Sequence, residues 1–126
     1  MPRGDGRRPS TAARGEEAAV RHLRARGLDI LDRNWRAGRR ELDVVARDGD
    51  VVAFVEVKTR TPGPQAPLEA IGRRKRRDLR RAAESWIHSN PGVGREFRFD
   101  AVSVRLVPGA PPSVDHVEGA FFADDT

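Results

Sequence analysis

The sequence predicts an α/β domain built on a mixed sheet with helices packed against it. Apolar residues recur at helical spacing in two separate stretches, near residues 10–26 and 68–88. Alternating, β-branched segments lie between and after them, and Gly- and Pro-containing turns separate those segments at short intervals. The predicted order is helix, three strands, helix, strand, with a further edge strand near the end. A chain of 126 residues has room for one core, so residues 10–126 are expected to form a single domain. Residues 1–9, MPRGDGRRP, hold almost nothing apolar and are expected to be a disordered basic arm.

The first helix starts at Ser10 or Thr11 as N-cap and stops before Gly27, where a left-handed residue is wanted. Its stripe is Ala12, Ala19, Val20 and Leu23. Leu28 to Trp35 reads as a strand and Ala37 to Arg40 as its turn. Glu41 to Arg47 and Val51 to Lys58 follow as a hairpin about Asp48-Gly49-Asp50. Three prolines make Thr61 to Pro67 a loop. The second helix runs from Leu68 to His88 on Leu68, Ile71, Leu79, Ala82, Ala83 and Trp86, and Asn90-Pro91-Gly92 ends it. Phe97 to Val107 is the fourth strand, and Val114 to Phe122 the added edge.

Composition excludes several chemistries. There is no cysteine, hence no disulfide, thiolate metal site or cysteine nucleophile, and His22, His88 and His116 are too scattered to make a histidine metal site. No apolar run reaches the ~18–20 residues of a membrane span, and no signal peptide is visible. A soluble, cytoplasmic protein is expected.

The 24 cations against 19 carboxylates leave a charge of +5. Because 22 of the cations are Arg, coding bias explains part of that excess. The distribution is more informative. Residues 1–40 carry +6, 41–70 carry −3, 71–81 carry +6 and 82–126 carry −4. An acidic centre between basic blocks suits a cation-binding site whose rim attracts phosphates.

Strand alternation makes the central hairpin specific. Leu42, Val44 and Ala46 should share an apolar face with Val51, Ala53, Val55 and Val57. The other face should carry Glu41, Asp43 and Val45 beside Val52, Phe54, Glu56 and Lys58. With Gly49-Asp50 as the loop, Asp43 faces Glu56 and Glu41 faces Lys58; with Asp48-Gly49 the register moves two residues and the faces are kept. Two like charges ~4 Å apart repel by about 4 kcal/mol at an effective dielectric near ~20, and a divalent cation would answer them. The plainer alternative is a Glu41–Lys58 salt bridge with solvated Asp43 and Glu56.

Three observations weigh against that alternative. Glu56 interrupts a strand otherwise apolar on both faces. Lys58 is one of only two lysines and stands two residues after Glu56 on its face. Glu16 lies on the buried stripe of the first helix, although a glutamate near a helix start is also favoured by the macrodipole. The second lysine, Lys75, sits on the stripe of the second helix among Arg73, Arg74, Arg76, Arg77, Arg80 and Arg81. It either snorkels or reaches a substrate phosphate, with the arginines holding backbone phosphates.

Asp43 followed by Glu56-Val57-Lys58 resembles the PD-(D/E)-x-K nuclease superfamily. A longer ordered set resembles the YraN-like family, a predicted endonuclease group similar to Holliday-junction resolvases. That set comprises GEEAA, ILDRNWR, GRRELDVVARDGD, FVEVKTR, Lys75, RFDAV and HVEGAF, and spans about residues 15–122. The resemblance implies a restriction-endonuclease-like fold with Glu16, Asp43, Glu56 and Lys58 in the catalytic positions. The sequence departs from the pattern in having Leu42 rather than Pro before Asp43, and Arg40 where relatives often have Gly. Neither change removes a carboxylate.

The function expected is a Mg²⁺- or Mn²⁺-dependent endonuclease on structured or branched DNA. Asp43, Glu56 and Glu16 are the expected metal ligands, with the Val57 carbonyl as a further oxygen and Glu41 supporting them from outside. Lys58 would stabilise developing charge, while Arg60, Lys75, Arg73, Arg74, Arg76 and Arg77 would hold nucleic acid. The resemblance to junction-cutting enzymes makes a homodimer the expected assembly. The alternative is a non-catalytic nucleic-acid-binding module on the same fold.

Overall fold

The computed structural model describes residues 9–63 and 72–121. Helix α1 (Thr11–Ala25) is followed by strands β1 (Asp29–Ala37), β2 (Arg40–Asp48) and β3 (Val51–Arg60), helix α2 (Arg73–Ser89), and strands β4 (Glu96–Arg105) and β5 (Ser113–Phe121). The expected arm, apart from Pro9, and the expected start of the second helix at Leu68 and Ile71 lie outside the described residues. Among those described, no helix is long and apolar enough to cross a membrane.

Local chemistry sets the element ends. The Ser10 hydroxyl accepts a hydrogen bond from the Ala13 amide at 3.0 Å, capping α1. At its other end Gly27 adopts φ +91°. The Gly27 and Leu28 amides return to the Arg24 and Leu23 carbonyls at 2.9 and 3.0 Å, the paired bonds of a Schellman motif. Gly49 supplies the positive φ of the two-residue β2–β3 turn (62°), so that Asp48 pairs with Val51.

The strands lie in the order β1-β2-β3-β4-β5. β3 and β4 are parallel, and the other neighbours antiparallel. The parallel pair needs a crossover, which contains α2. One apolar cluster joins α1 (Ala19, Val20, Leu23) to Val44, Ala46, Ala53, Val55, Val102 and Val104. A second joins α2 (Leu79, Ala82, Ala83, Trp86) to Leu42, Val45, Val52, Phe54 and Phe99. The chain is therefore an α/β fold whose mixed sheet is covered by a helix on each face, consistent with a restriction-endonuclease-like architecture.

Two expectations about faces are corrected. Ala12 is exposed, and the buried side of α1 takes in Gly15 and Ala18 instead, because the helix turns its glycine to the sheet. Leu42 packs with the α2 cluster while Val44 packs with the α1 cluster, so strict alternation fails between them.

Beyond the hydrophobic clusters, β5 is fastened by a buried ionic network. Asp100 is wholly buried at the register shift between β4 and β5. One of its oxygens accepts from Arg98 Nε (2.8 Å) and the Gly119 amide (3.0 Å), and the other from a terminal Arg98 nitrogen (3.1 Å). His116 Nε2 lies 2.8 Å from that second oxygen. A buried carboxylate is tolerable when its lone pairs are answered in this way.

Gly15 fixes how closely α1 approaches the sheet, since a Cβ there would run into the Thr59 side chain. Thr59 is β-branched and stiff, so it gives way poorly. Gly15→Ala should destabilise the protein by about 1–3 kcal/mol, measured by denaturant unfolding, and Thr59→Ala in the same chain should recover part of the loss.

Candidate functional site

The site lies where the β2–β3 ladder stops. Pairing runs from Asp48–Val51 to Val44–Val55, and the next pair, Asp43 and Glu56, is absent from it. Asp43 Oδ2 instead accepts the Val57 amide at 2.9 Å. The carboxylate thus takes a backbone donor that the departing strand has left without a ladder partner.

The β1–β2 side is interrupted at the same level. Arg33 pairs with Val44 and Trp35 with Leu42, while Asn34 and Asp43 between them are not paired. Arg33 reaches Glu17 on α1 at 3.1 Å, whereas Trp35 packs with the α2 cluster. Residues two apart in a regular strand share a face, so both strands change face at this level. The local cause on β1 is Asn34, at φ +52° the one described non-glycine residue with positive φ. Asn tolerates that conformation better than most residues. The same reversal accounts for Leu42.

Sequence expectation brings Asp43 and Glu56 together, and the structure does so. The Glu56 side chain is 8% exposed, and its carboxyl is pushed up to about 7. Burial is the main cause, followed by the hydrogen bond and negative charge of Asp43, with Lys75 and Lys58 opposing. Near neutral pH Glu56 therefore still has a proton to offer Asp43. Lys75 Nζ stands 3.6 Å from Glu56 Oε2, so the second lysine reaches into the site from α2 although its own side chain is half exposed. Lys58 is half-buried on the Glu56 face of β3.

Glu16 comes near without joining the pair. Its carboxylate accepts a 2.8 Å hydrogen bond from Asn34 Nδ2. Burial raises its pKa most, the Asn34 bond opposes that, and the charges of Asp43 and Glu41 raise it further against Arg33. Glu41 is bound to Arg36 at 3.0 Å, so its expected place opposite Lys58 is taken by a cross-strand ion pair. Among the described residues no three His, Asp or Glu side chains form a ready metal cluster; the compact set is Asp43 with Glu56. The Val57 carbonyl shares its amide's edge of β3, because a strand residue directs both groups to one neighbour.

Of the expected nucleic-acid residues Lys75 contacts this pair, and the others lie on its helix or further along β3. Arg73, Arg74 and Arg77 are exposed and Arg76 half-buried on the first turns of α2, and Arg60 is half-buried two residues beyond Lys58. Sequence reasoning missed Asn34. An Asn inside a β-branched, aromatic strand segment is the signal that could have marked it, since few other residues accept positive φ there.

In the native state Glu56 keeps its proton to about pH 7, whereas unfolded it releases it in the ordinary glutamate range. The native state therefore binds more protons between those values, and stability falls as pH rises through that window, by up to about 3 kcal/mol. Thermal unfolding in chelator from about pH 5 to 8 should show the decline, and Glu56→Gln should flatten it. Asn34→Gly should fold at least as well as the parent but lose the Glu16 anchor, whereas Asn34→Ala should also lose about 1 kcal/mol to backbone strain. Calorimetric Mn²⁺ titration of both, beside their unfolding curves, separates the amide's role from the backbone's.

Comparison with known proteins gives a consistent assignment. The chain is 44% identical over 117 residues to a UPF0102 protein of Nocardia farcinica, covering 92% of each chain. It is 47% identical over 109 residues to one of Frankia alni, covering 85% of this chain and 90% of the relative. A Sorangium cellulosum relative is 45% identical over 125 residues, covering 95% of this chain and 85% of its own. The model of the family described as "Uncharacterised protein family UPF0102" matches residues 15–104, a span that begins at Gly15 and includes Glu16, Asn34, Asp43, Glu56, Lys58 and Lys75. The chain belongs to the UPF0102 family.

Proposed function

We propose that this protein is a divalent-metal-dependent endonuclease that hydrolyses phosphodiester bonds in structured or branched DNA. The observation that carries the reading is the buried Glu56 carboxyl held against the half-buried Asp43 where two strands part, with Lys58 and Lys75 beside them. Two carboxyls in hydrogen-bonding contact call for a proton or a cation to answer their charge. Mg²⁺ is commonly held by one or two carboxylates and otherwise by water and substrate phosphate, so the donor set fits it or Mn²⁺. Asp43 and Glu56 would hold the ion, the Val57 carbonyl would be a further oxygen, and Glu16 would stand behind them on its Asn34 anchor. Such an ion supplies Lewis-acid charge for phosphodiester hydrolysis.

The chain's own residues account for the rest. Lys58 presents a compact ammonium to the water or phosphate oxygen on which charge develops. Lys75, released from Glu56 when that carboxylate takes another partner, engages a neighbouring phosphate. Arg60, Arg73, Arg74, Arg76 and Arg77 hold the polynucleotide backbone without reading its sequence.

A second reading, a nucleic-acid-binding module without catalysis, is favoured by the Lys75–Glu56 ion pair, which already answers part of the site's charge. Purified protein should bind Mn²⁺ in calorimetry and cut at least one of linear, flap, forked and four-way DNA. Asp43→Ala or Lys58→Ala should lower cleavage by at least ~100-fold while leaving DNA binding intact. Full metal-dependent cleavage by either variant would overturn the assignment, and DNA binding without Mn²⁺ binding or cleavage would support the module.

A further inference from the structure

We infer that the C-terminal ends of β3 and β4 form a second phosphate-binding platform, centred on Arg105 with Arg60, which carries the polynucleotide strand away from the Asp43–Glu56 pair. The inference rests on the nucleic-acid reading above and adds a direction for the strand and a residue that reading does not use.

Strand faces establish the platform. Val57 packs with the α1 cluster and Thr59 meets Gly15 of α1, so Glu56, Lys58 and Arg60 point to the other side of the sheet. On β4, Val102 and Val104 belong to the α1 cluster, which sends Ser103 and Arg105 to that same side. The parallel register places Lys58 beside Ser103 and Arg60 beside Arg105. α2 covers this side only as far as the Glu56 level, where Lys75 meets it, and its apolar residues lie over Leu42, Val45, Val52, Phe54 and Phe99. Beyond that level no described helix covers Lys58, Ser103, Arg60 or Arg105.

The chemistry is that of a phosphate track. Residues two apart in a strand lie about 6.6 Å apart and neighbouring strands about 4.8 Å apart. Glu56, Lys58 and Arg60 therefore step outward at intervals comparable with successive phosphates of a polynucleotide, and Arg105 widens the last step. At the end lies a cavity of about 400 Å³ lined by Arg60, Thr61, Pro62, Gly63, Arg105 and Val107. Among the described residues its titratable lining groups are the two arginines. Arg105 is exposed, and among the described residues no ion pair engages it. Asp115, exposed on β5 opposite Ser103, borders the track and discourages a strand from spreading over β5. The C-terminal ends of parallel strands are also where open α/β sheets bind phosphorylated ligands.

The test uses full-length protein carrying Asp43→Ala, so that cleavage cannot confuse binding. Fluorescence anisotropy with labelled four-way-junction DNA, and separately with single-stranded DNA, is followed across salt concentration. Adding Arg105→Gln should weaken binding several-fold and reduce the log-affinity against log-salt slope by about 0.9 for duplex arms or ~0.7 for single strands. Arg105→Lys should retain most of the slope, and Arg24→Gln, an equal charge loss near the end of α1, should leave affinity and slope nearly unchanged. Unaltered binding in Arg105→Gln, or the same loss in Arg24→Gln, overturns the platform alone. Failure of the Asp43→Ala parent to bind either DNA overturns the nucleic-acid reading together with it.

Discussion

The structure depends on one exchange of hydrogen-bond partners. At Asp43 the central antiparallel ladder ends, and a side-chain carboxylate accepts the Val57 amide that a continued ladder would have bound to a carbonyl. A continued ladder would have left Asp43 and Glu56 as an ordinary cross-strand pair, splayed on a sheet face and solvated. The early parting draws Asp43 into the gap between the strands, where it meets the buried Glu56. Catalytic and binding groups gain from such placement because a rigid sheet, not a loop, fixes their separation.

The surrounding structure maintains a costly arrangement. Burying the Glu56 carboxyl against Asp43 is unfavourable, and the molecule offsets this with the proton Glu56 retains and two nearby lysines. It also places the site between the helical layers, where the apolar clusters can support it. Gly15 contributes by letting α1 settle against Thr59, and that approach brings the next residue, Glu16, within reach of Asn34. Asn34 connects both halves: its backbone accompanies the change of face in β1 and its side chain anchors Glu16. The site is therefore built from irregularities on three elements at one level of the sheet, and each would be a defect elsewhere.

Most of the architecture was legible in the sequence because it follows from local chemistry. Ser10 and Gly27 delimit α1 through capping, Gly49 sets the β2–β3 register, and alternation along β3 matches the faces on which Val52, Ala53, Phe54, Val55 and Val57 pack. Alternation failed for Leu42 because it assumes an unbroken pleat, and the break at Asn34 and Asp43 is a tertiary feature. Glu41 was expected opposite Lys58 on the same assumption, but Arg36, directly across on β1, offers it a nearer partner. Lys75 stands out in the sequence as one of two lysines among the arginines. Sequence could not distinguish snorkelling from reach into the site, because that depends on where α2 crosses the sheet.

The segments RFDAV and HVEGAF show how a family-like motif and a chemical site can separate. Asp100, His116 and Gly119 within them are bound to one another across β4 and β5, on the α1 side and away from the Asp43–Glu56 pair. Their polar atoms are consumed in holding the bulged strand pair together. What that network positions is β4 itself, whose parallel pairing with β3 from Val51 to Arg60 keeps the strand carrying Glu56 and Lys58 straight after β2 has departed. A strand bearing charged groups at its free end needs a partner on at least one edge, and β4, fastened through Asp100, supplies it. The buried ionic network and the proposed catalytic pair are thus linked through the backbone, the first making the geometry of the second sustainable.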